Sequence, residues 1–362
     1  MKAVILVGGE ATRLRPLTLN TPKAMVPVLN TPFLEHVIGY LSQHQIRDII
    51  LAQGRLTPRI ESYFGDGRRF GVRLNYAVEN SPLGTAGAVK NTAKYLVETF
   101  LVLNGDIFTD RDITAMLTFH REKKAKVTIA LTPVDDPTSY GLIESNAGGR
   151  VRCFVEKPGR DEVTTNMINA GIYIIEPEVL AHIPPRVSFS FEHELFPQLL
   201  ERGEPVYATP SPAYWIDIGT PDKYFQLHLD LLEGKSHRFT PGDKVQIGEQ
   251  SHIHPEAQIT GPVVIGNNCT IKQGVRLIGP VVIGPGSVIE EDTIIERSII
   301  WQNARLGARV QVKNSIVAGD CRLEASSTID GSVLGDNVTV LGGCRLGPGS
   351  STWPGTVVAP AT

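Results

Sequence analysis

The sequence predicts an α/β sheet domain followed by a solenoid of short parallel strands. Two observations support this fold class. Strand-like and helix-like apolar segments alternate through about residue 232, and aliphatic residues beyond it recur every six positions. The chain has 362 residues, and because a domain averages about 150 residues, two domains are expected. We predict a first domain over 1–232, a linker over 233–242 and a second domain over 243–362.

The first domain opens with strand-like segments at 3–7, 49–52 and 74–78, separated by helical patterns at 34–41 and 60–64. This alternation is typical of a parallel α/β sheet. A helix at the end of the domain is expected from the apolar pattern of residues 222 to 232.

One further continuous apolar strand, 100–103, leads directly toward Asp106. Open α/β sheets bind ligands at the carboxyl ends of their strands, so we expect the functional site there. More closely spaced strands follow and are expected to extend the sheet and cover the site. They lie at 127–131, 151–155 and 170–175.

The second domain has a six-residue period, which neither a helix nor a simple strand alternation explains. The repeating positions are Ile247, Ile253, Ile259, Ile265, Ile271, Leu277, Ile283, Ile289 and Ile295. The segment Gly-Pro-Val-Val-Ile-Gly occurs at 261 and again at 279, an offset of 18 residues, which predicts three-sided coils. Ser298, Ser315 and Ser332 are 17 apart, so one corner is expected to lose a residue.

This pattern resembles the hexapeptide-repeat left-handed parallel β-helix, over roughly residues 243 to 358. In such a coil one aliphatic residue per face stacks into a continuous interior, while Gly, Asn and Asp occupy the corners. A β-sandwich, the alternative, would not hold a six-residue spacing over this length.

Composition excludes several classes of protein. The formal net charge is −3, too small for a nonspecific nucleic-acid surface. Hydrophobic residues make up 41% and charged residues 20%, which argues against a disordered chain. The first apolar run is too short for a membrane span, and the four cysteines form no CxxC motif. We therefore expect a cytoplasmic protein with no nucleic-acid or membrane partner.

The first strand leads into a glycine-containing loop that carries a cation. Small residues at Gly8 and Gly9 allow backbone N–H groups to approach a polyphosphate, and Arg13 adds a forked cation. Lys23 follows ten residues later in a proline-bounded loop. The loop is neither a Walker sequence nor a dinucleotide fingerprint. Taken alone, the glycine pair could be a tight turn and Lys23 a solvated surface residue.

Together with motifs farther along the chain, these residues resemble the sugar-1-phosphate nucleotidyltransferases, and most of all the mannose-1-phosphate guanylyltransferase branch. The family pattern is GGxGTRLxPLT followed by PK. The matching downstream segments are ENSPLGTAG at 79–87, LNGD at 103–106, YG at 140–141, FVEKP at 154–158, NAG at 169–171 and WIDIGTP at 215–221. The resemblance implies a Rossmann-like nucleotidyltransferase domain with a mixed, mostly parallel sheet.

The implied reaction is an in-line attack of a sugar-1-phosphate oxygen on the α-phosphorus of an NTP, which releases pyrophosphate and forms an NDP-sugar. The protein would mainly neutralise repulsion between the two substrates and align them. The resemblance assigns Mg²⁺ to Asp106 and Asp217, and it assigns stabilisation of the triphosphate to Arg13 and Lys23. As an alternative, each aspartate could cap a helix or turn.

The resemblance also implies the residues that bind each substrate. Those for the nucleotide are Leu6, Gly8, Gly9, Ala11, Thr12, Arg13, Glu79, Gly84 and Thr85, and those for the sugar phosphate are Gly141, Glu156, Lys157, Asn169 and Gly171. Ala11 stands where the family usually has glycine. Because alanine disfavours a positive φ angle, we expect a slightly reshaped loop. Without the resemblance, Glu156 and Lys157 would be interpreted as a surface ion pair.

Glu79 indicates the base. Related enzymes that use thymine or uracil tend to have glutamine at this position. Guanine presents two donors, N1–H and N2–H, which an acceptor-only carboxylate matches, so we predict GTP. The alternative is that Glu79 points to solvent at a strand end.

Several questions stay open from the sequence. Mannose-1-phosphate is expected only from the resemblance, and a glucose-1-phosphate thymidylyl- or uridylyltransferase is an alternative. A catalytically inert sugar-nucleotide-binding subunit would be expected to lack one of the charged residues, and all are present. Acyl transfer by the β-helix is disfavoured because His252 and His254 are the only histidines of the repeats. The β-helix is instead expected to be an assembly or regulatory element, and a homo-oligomer is expected through the β-helix or the catalytic domain.

Overall fold

The computed structural model describes residues 1–54, 58–239 and 244–360. The chain divides into two compact units. One contains residues 1–9 and 34–216, and the other contains residues 10–33 and 217–362. The domain boundaries expected from the sequence stay a prediction, and positions 240 to 243, at the junction of the linker and the β-helix, lie outside the described residues.

Besides short 3₁₀ and π-helical turns, thirteen strands and six α-helices occur among the described residues up to residue 232. In chain order they are β1 (Lys2–Leu6), β2 (Pro27–Val28), β3 (Thr31–Pro32), α1 (Phe33–Gln43), β4 (Asp48–Gln53), α2 (Pro58–Phe64), β5 (Arg73–Val78), α3 (Gly84–Asn91), β6 (Phe100–Asn104), β7 (Ile107–Thr109), α4 (Ile113–Glu122), β8 (Val127–Pro133), β9 (Gly141–Ser145), β10 (Val151–Glu156), β11 (Met167–Ile175), α5 (Phe196–Glu201), β12 (Val206–Pro210), β13 (Trp215–Asp217) and α6 (Pro221–Leu232).

The large sheet of the first unit is mixed and mostly parallel at its centre, as expected. Its order is β10-β9-β11-β6-β1-β4-β5, and β8 pairs with both β11 and β12. Strand β1 runs parallel to β4 and β6, whereas β11 is antiparallel to β6 and β8. The central strands are apolar on both faces because both faces are buried, as Val4, Ile50 and Val102 show.

The register of the central strands determines where the site can lie. Leu6, the last residue of β1, pairs with Ala52 on one side and Asn104 on the other. The carboxyl ends of β1, β4 and β6 therefore meet at one edge of the sheet. The loops that leave this edge carry Gly8, Gly9 and Asp106.

Helix caps explain where two helices begin. The Asp112 carboxylate accepts hydrogen bonds from the N–H groups of Thr114 and Ala115 at 2.8 and 3.0 Å, so α4 begins directly after it. Helix α6 begins with Pro221 after the cap residue Thr220. The helix expected near the end of the first domain is thereby confirmed.

The remaining strands belong to the second unit. They are β14 (Val245–Ile247), β15 (His252–Ile253), β16 (Gln258–Thr260), β17 (Val263–Ile265), β18 (Thr270–Ile271), β19 (Arg276–Ile283), β20 (Val288–Ile289), β21 (Ile294–Ile300), β22 (Arg305–Leu306), β23 (Gln311–Lys313), β24 (Ile316–Val317), β25 (Arg322–Leu323), β26 (Thr328–Asp330), β27 (Val333–Leu334), β28 (Thr339–Val340), β29 (Arg345–Leu346), β30 (Ser351–Thr352) and β31 (Val357–Val358).

These strands pair in parallel from coil to coil, and the coil length changes as the sequence predicts. Ile265 pairs with Ile283, 18 residues on, whereas Ile283 pairs with Ile300, 17 residues on. The shorter coil lacks one residue at a corner. The pairing of β19 with β21 shifts there, between Ile278 and Val281 of β19. The second unit thus contains the expected parallel β-helix.

Backbone conformation explains the residue types at the corners. One column of corner residues, one per coil, has positive φ angles, which glycine and asparagine tolerate best. Its members are Gln250, Asn268, Gly286, Asn303, Asp320, Asn337 and Gly355. The interior is filled by stacked aliphatic side chains such as Ile289 and Leu306.

Leu306 and its neighbour Arg305 provide a test of this packing. Leu306 is fully buried in the interior, whereas Arg305 is exposed. Leu306→Ala is expected to lower the free energy of unfolding by about 2–5 kcal/mol because it leaves a cavity. Arg305→Ala is expected to change it by less than about 0.5 kcal/mol. Denaturant unfolding followed by circular dichroism measures both, and equal effects would contradict the interior position of Leu306.

Candidate active site

In the first unit, the loop after β1 lies beside Glu79 at the end of β5. A Cβ atom placed on Gly8 would lie 3.4 Å from the Glu79 Oε1 atom and 3.0 Å from the Gly54 backbone nitrogen. Glu79 is only 9% exposed. The structure therefore brings two of the predicted nucleotide-binding residues together, and the alternative that Glu79 points to solvent is wrong.

The two carboxylate oxygens of Glu79 have different surroundings. Oε2 accepts a hydrogen bond from the backbone N–H of Leu83 at 2.7 Å. Burial raises the pKa of Glu79, and the bond from Leu83 opposes this effect. One oxygen is thus fixed by the turn before α3, while the other lies toward Gly8.

Asp106 lies at the same edge of the sheet, in the turn between β6 and β7. The N–H of the preceding Gly105 donates to the carbonyl of Leu6 at 2.9 Å, which ties this turn to the end of β1. The Asp106 residue is half-buried. Its carboxylate therefore follows a central strand at its carboxyl end, where the sequence predicts it.

Gly141 and Glu156 are paired across the antiparallel strands β9 and β10. A Cβ on Gly141 would lie 2.7 Å from the Glu156 Oε2 atom, so only glycine leaves room for this carboxylate. Burial and the nearby Glu192 carboxylate raise the pKa of Glu156, while Lys157 lowers it. The Lys157 Nζ atom is 4.0 Å from Glu156 Oε1, and its side chain is 67% exposed.

Asn169 and Gly171 form a short hydrogen-bonded turn within β11. The Gly171 N–H donates to Asn169 Oδ1 at 2.9 Å, and Asn169 Nδ2 donates to the Tyr173 hydroxyl at 2.8 Å. The Tyr173 hydroxyl in turn donates to Glu192 Oε1 at 3.0 Å. Asn169 is therefore held in one orientation by a chain of hydrogen bonds that ends at a carboxylate.

Glu192 is a residue that the sequence reasoning missed. It lies in a short π-helical turn, Phe191–Leu195, and also accepts hydrogen bonds from the hydroxyls of Thr85 at 3.0 Å and Ser190 at 2.7 Å. Glu192 thus connects Thr85, a predicted nucleotide-binding residue, with Asn169, a predicted sugar-binding residue. In the sequence, Ser190 followed by acidic residues has the pattern of an ordinary helix start.

In the second unit, Ala11 has φ +49° and ψ +42°, which is the left-handed conformation. Ala11 thus adopts the conformation that glycine takes most readily, and the expectation that the loop is slightly reshaped stays a prediction. Non-glycine residues in this region cost roughly 1–3 kcal/mol. Two hydrogen bonds to the Ala11 carbonyl hold the turn, from the Thr18 hydroxyl at 2.9 Å and the Leu14 N–H at 3.1 Å.

The predicted cations of the second unit follow this turn. Thr12 and Arg13 lie in the 3₁₀ turn Thr12–Leu14, and Arg13 is exposed. Lys23 is half-buried and opens a second 3₁₀ turn, Lys23–Met25, which follows Pro22.

Asp217 is also in the second unit and is 8% exposed. A Cβ on Gly219 would lie 2.5 Å from Asp217 Oδ2 and 3.5 Å from Arg13 Nη2, so Gly219 brings these two predicted residues close together. The Lys223 Nζ atom lies 2.5 Å from Asp217 Oδ1. Lys223, in the first turn of α6, is a second residue that the sequence reasoning missed.

Comparisons with known proteins agree with these features. The model of the Nucleotidyl transferase family matches residues 2–234. The bacterial transferase hexapeptide model, with six repeats, matches 244–279, and the GMPPB C-terminal domain model matches 277–347. Among the described residues, no helix is long and apolar enough to span a membrane.

Curated relatives are similar over most of the chain. A UTP–glucose-1-phosphate uridylyltransferase from Synechocystis sp. is 36% identical over 88% of this chain and 87% of its own. A mannose-1-phosphate guanylyltransferase from Mycobacterium tuberculosis is 36% identical over 82% of this chain and 83% of its own. A mannose-1-phosphate guanyltransferase from Pichia angusta is 37% identical over 94% of this chain and 92% of its own.

Solved structures are similar over part of the chain. A putative glucose-1-phosphate thymidylyltransferase from Bacillus anthracis has a TM-score of 0.58 and 26% identity, over 63% of this chain and 94% of its own. HddC from Yersinia pseudotuberculosis, complexed with GMP-PN, has a TM-score of 0.55 and 31% identity, over 63% of this chain and 97% of its own. The match of a family model to most of the chain, with relatives above 30% identity, shows that the protein belongs to the nucleotidyl transferase family.

Proposed function

We propose that this protein transfers a nucleotidyl group from GTP to mannose-1-phosphate, releasing pyrophosphate and forming GDP-mannose. The observation that carries the choice of base is the buried Glu79 carboxylate beside Gly8. Relatives named as mannose-1-phosphate guanylyltransferases, which are 34–37% identical to this chain, support the choice of sugar.

The reaction needs no covalent enzyme intermediate. A phosphate oxygen of the sugar-1-phosphate forms a bond to the α-phosphorus of the NTP, and the bond to the bridging oxygen breaks. Pyrophosphate leaves with that electron pair. Because the nucleophile is already an anion, the protein contributes mainly by holding two anionic substrates in line and offsetting their repulsion.

The proposed roles follow the chemistry of each side chain. Arg13 and Lys23 bind the triphosphate and the departing pyrophosphate, and Lys157 binds the sugar phosphate. The Glu156 carboxylate and the Asn169 amide bind sugar hydroxyls, since they offer acceptors and a donor to a polyol. The hydrogen bonds of Asn169 to Gly171 and Tyr173 support this role because they fix the direction of its amide.

Guanine is the base that the surroundings of Glu79 favour. With Oε2 bound by the Leu83 N–H, Oε1 lies on the side of Gly8 and remains an acceptor. Guanine supplies two neighbouring donors, whereas uracil and thymine present one ring donor flanked by carbonyl oxygens. A carboxylate repels those carbonyl oxygens, so it selects against the pyrimidine nucleotides.

We propose Mg²⁺ as the divalent metal ion and Asp106 and Asp217 as its ligands. The described residues contain no cluster of three or more His, Cys, Asp and Glu side chains that could hold a metal. A donor set of one or two carboxylates, completed by water and substrate phosphate, is what Mg²⁺ prefers. The bound ion would neutralise charge on the phosphates. Lys223 pairs with Asp217 Oδ1, while Oδ2 lies on the side of Gly219.

A second candidate is a glucose-1-phosphate uridylyltransferase, favoured by the similarity to the Synechocystis protein over 88% of this chain. An inert regulatory subunit is disfavoured because every predicted charged residue is present. We further propose a homo-oligomer in the cytoplasm, a location that agrees with four cysteines in the free state.

A grid of nucleoside triphosphates against sugar-1-phosphates, with Mg²⁺ present, tests the substrates directly. Pyrophosphate release should be highest for GTP with mannose-1-phosphate. Highest release for UTP with glucose-1-phosphate would support the second candidate instead. If no pair in the grid releases pyrophosphate, the proposed enzymatic activity is wrong.

Glu79→Gln should shift the preference among bases. The amide oxygen would retain the bond from Leu83, which leaves the amide N–H₂ as a donor on the side of Gly8. That donor suits a pyrimidine carbonyl, so kcat/KM for GTP relative to UTP should fall by roughly 5- to 150-fold, or about 1–3 kcal/mol. An unchanged ratio of kcat/KM for GTP to kcat/KM for UTP would exclude Glu79 as the residue that selects the base.

Gly219→Ala should weaken Mg²⁺ binding and lower activity by displacing the Asp217 carboxylate. The added methyl group would lie 2.5 Å from Asp217 Oδ2 and must displace the carboxylate. We expect the Mg²⁺ concentration for half-maximal activity to rise and kcat/KM to fall roughly 10- to 100-fold.

Gly39→Ala provides the control for this substitution. Gly39 is exposed in α1, and a Cβ there meets no atom within 4 Å, so activity should be unchanged. If Gly219→Ala retains the Mg²⁺ response of the wild type, Asp217 is not a metal ligand.

A further inference from the structure

One column of the β-helix departs from its own pattern at Trp301. In most coils a small residue follows the strand on one face, because the next coil passes close to that position. The column consists of Gly248, Gly266, Gly284, Trp301, Ala318, Gly335 and Trp353. Trp301 is only 2% exposed, whereas Trp353, in the same column near the end of the solenoid, is 58% exposed. Trp301 therefore packs against something that the repeat itself does not supply.

Trp301 contacts α6 through a specific hydrogen bond. Its indole Nε1–H donates to the Tyr224 hydroxyl at 2.9 Å, and the two rings meet edge to face with centroids 6.2 Å apart. The Tyr224 hydroxyl in turn donates to the backbone carbonyl of Pro27. Tyr224 is fully buried, and burial raises its pKa well above the usual value, so the hydroxyl keeps the proton that it donates.

A second hydrogen bond joins the segment from Pro27 to Asn30 directly to the β-helix. The Asn30 side-chain amide donates to the carbonyl of Ile283 in β19 at 2.9 Å. The segment from Pro27 to Asn30 is therefore attached to two successive coils of the β-helix, once directly and once through Tyr224.

The outer surface of this face is apolar and buried. Val264, Val282, Ile299 and Ile316 are each at most 8% exposed, although they are not part of the aliphatic interior. Helix α6 contacts β19. The β-helix thus supplies a buried apolar surface within the second unit, and hydrogen bonds are stronger in such low-dielectric surroundings.

The attached segments carry predicted phosphate and metal residues. Lys23 precedes Pro27 by four residues, and the 3₁₀ turn between them is held by the bond from the Met25 N–H to the Pro22 carbonyl at 2.7 Å. On α6, Tyr224 directly follows Lys223, whose ammonium pairs with Asp217. Tyr224 is therefore linked to both groups, to the segment after Lys23 through the Pro27 carbonyl and to Asp217 through the neighbouring Lys223.

We propose that Trp301 and Tyr224 are positioning residues, through which the β-helix sets the geometry of the triphosphate-binding side of the active site. The inference rests on the proposed function and adds a role for the β-helix in it. Trp301 and Tyr224 act through Lys23 and Asp217, so their loss should affect the nucleotide more than the sugar phosphate.

The experiment uses full-length Tyr224→Phe, which removes only the hydroxyl, and Trp301→Phe, which removes the indole N–H and replaces the indole with a smaller phenyl ring. Trp353→Phe is the matched control, since it alters the same column at an exposed position. We expect kcat/KM for the NTP to fall roughly 10- to 100-fold in both core variants. The KM for the sugar phosphate should stay at the wild-type value, and Trp353→Phe should match the wild type throughout.

Thermal unfolding and calorimetric binding of inorganic pyrophosphate separate the possible outcomes. A lower Tm with unchanged kinetic constants, measured well below that Tm, would overturn the inference and leave a purely structural role. If Tyr224→Phe does not fold, the kinetic constants of Trp301→Phe alone test the inference. If the wild type has no turnover, the proposed function fails, and weaker pyrophosphate binding by the core variants would still support the positioning role. Equal binding by wild type and variants would then overturn it.

Discussion

The parallel register of β1 with β4 and β6 is the constraint on which the arrangement of the first unit depends. Because Leu6 pairs with both Ala52 and Asn104, the loops after β1 and β6 leave the sheet side by side. The backbone pairing of these strands sets this placement. The apolar strands behind this edge stabilise the sheet. Side chains at the edge, such as Asp106 and Glu79, are therefore not needed for the stability of the fold and can serve a chemical role.

The proposed site residues of the two units are held by different contacts. In the first unit, the Leu83 N–H binds Glu79, and Glu192 connects Thr85 with the Tyr173 hydroxyl that Asn169 contacts. The second contains Arg13, Lys23 and Asp217, whereas Asp106 and Lys157, which are also proposed for metal and phosphate, belong to the first. In both units, buried hydrogen bonds fix the residues that support the site, and this matches a reaction that depends on alignment rather than on a reactive enzyme group.

Local patterns in the sequence predicted much of the fold. The six-residue period gives the β-helix, its shortened coils and the corner residues, because each coil repeats the same environment. The strands along the chain and the position of Asp106 follow from apolar runs, whereas the order of strands within the sheet was not predicted. The contacts of Glu192 could not be predicted, because Thr85 lies 107 residues away and only the packing of the chain brings them together. In the sequence, Lys223 has no feature that distinguishes it from an ordinary helix residue. The left-handed conformation of Ala11 could not be predicted either, because alanine disfavours it.

The shortened corner of the β-helix also determines where its length can vary. Within a strand, loss of one residue would exchange every following side chain between interior and exterior, since successive side chains alternate in direction. At the corner between Ile278 and Val281 the pairing offset shifts by one residue, yet on the next face interior residues still pair with interior residues, as Ile283 does with Ile300. Natural insertions and deletions in related solenoids should therefore collect at this edge, and grafted peptides inserted there should leave the stacking intact.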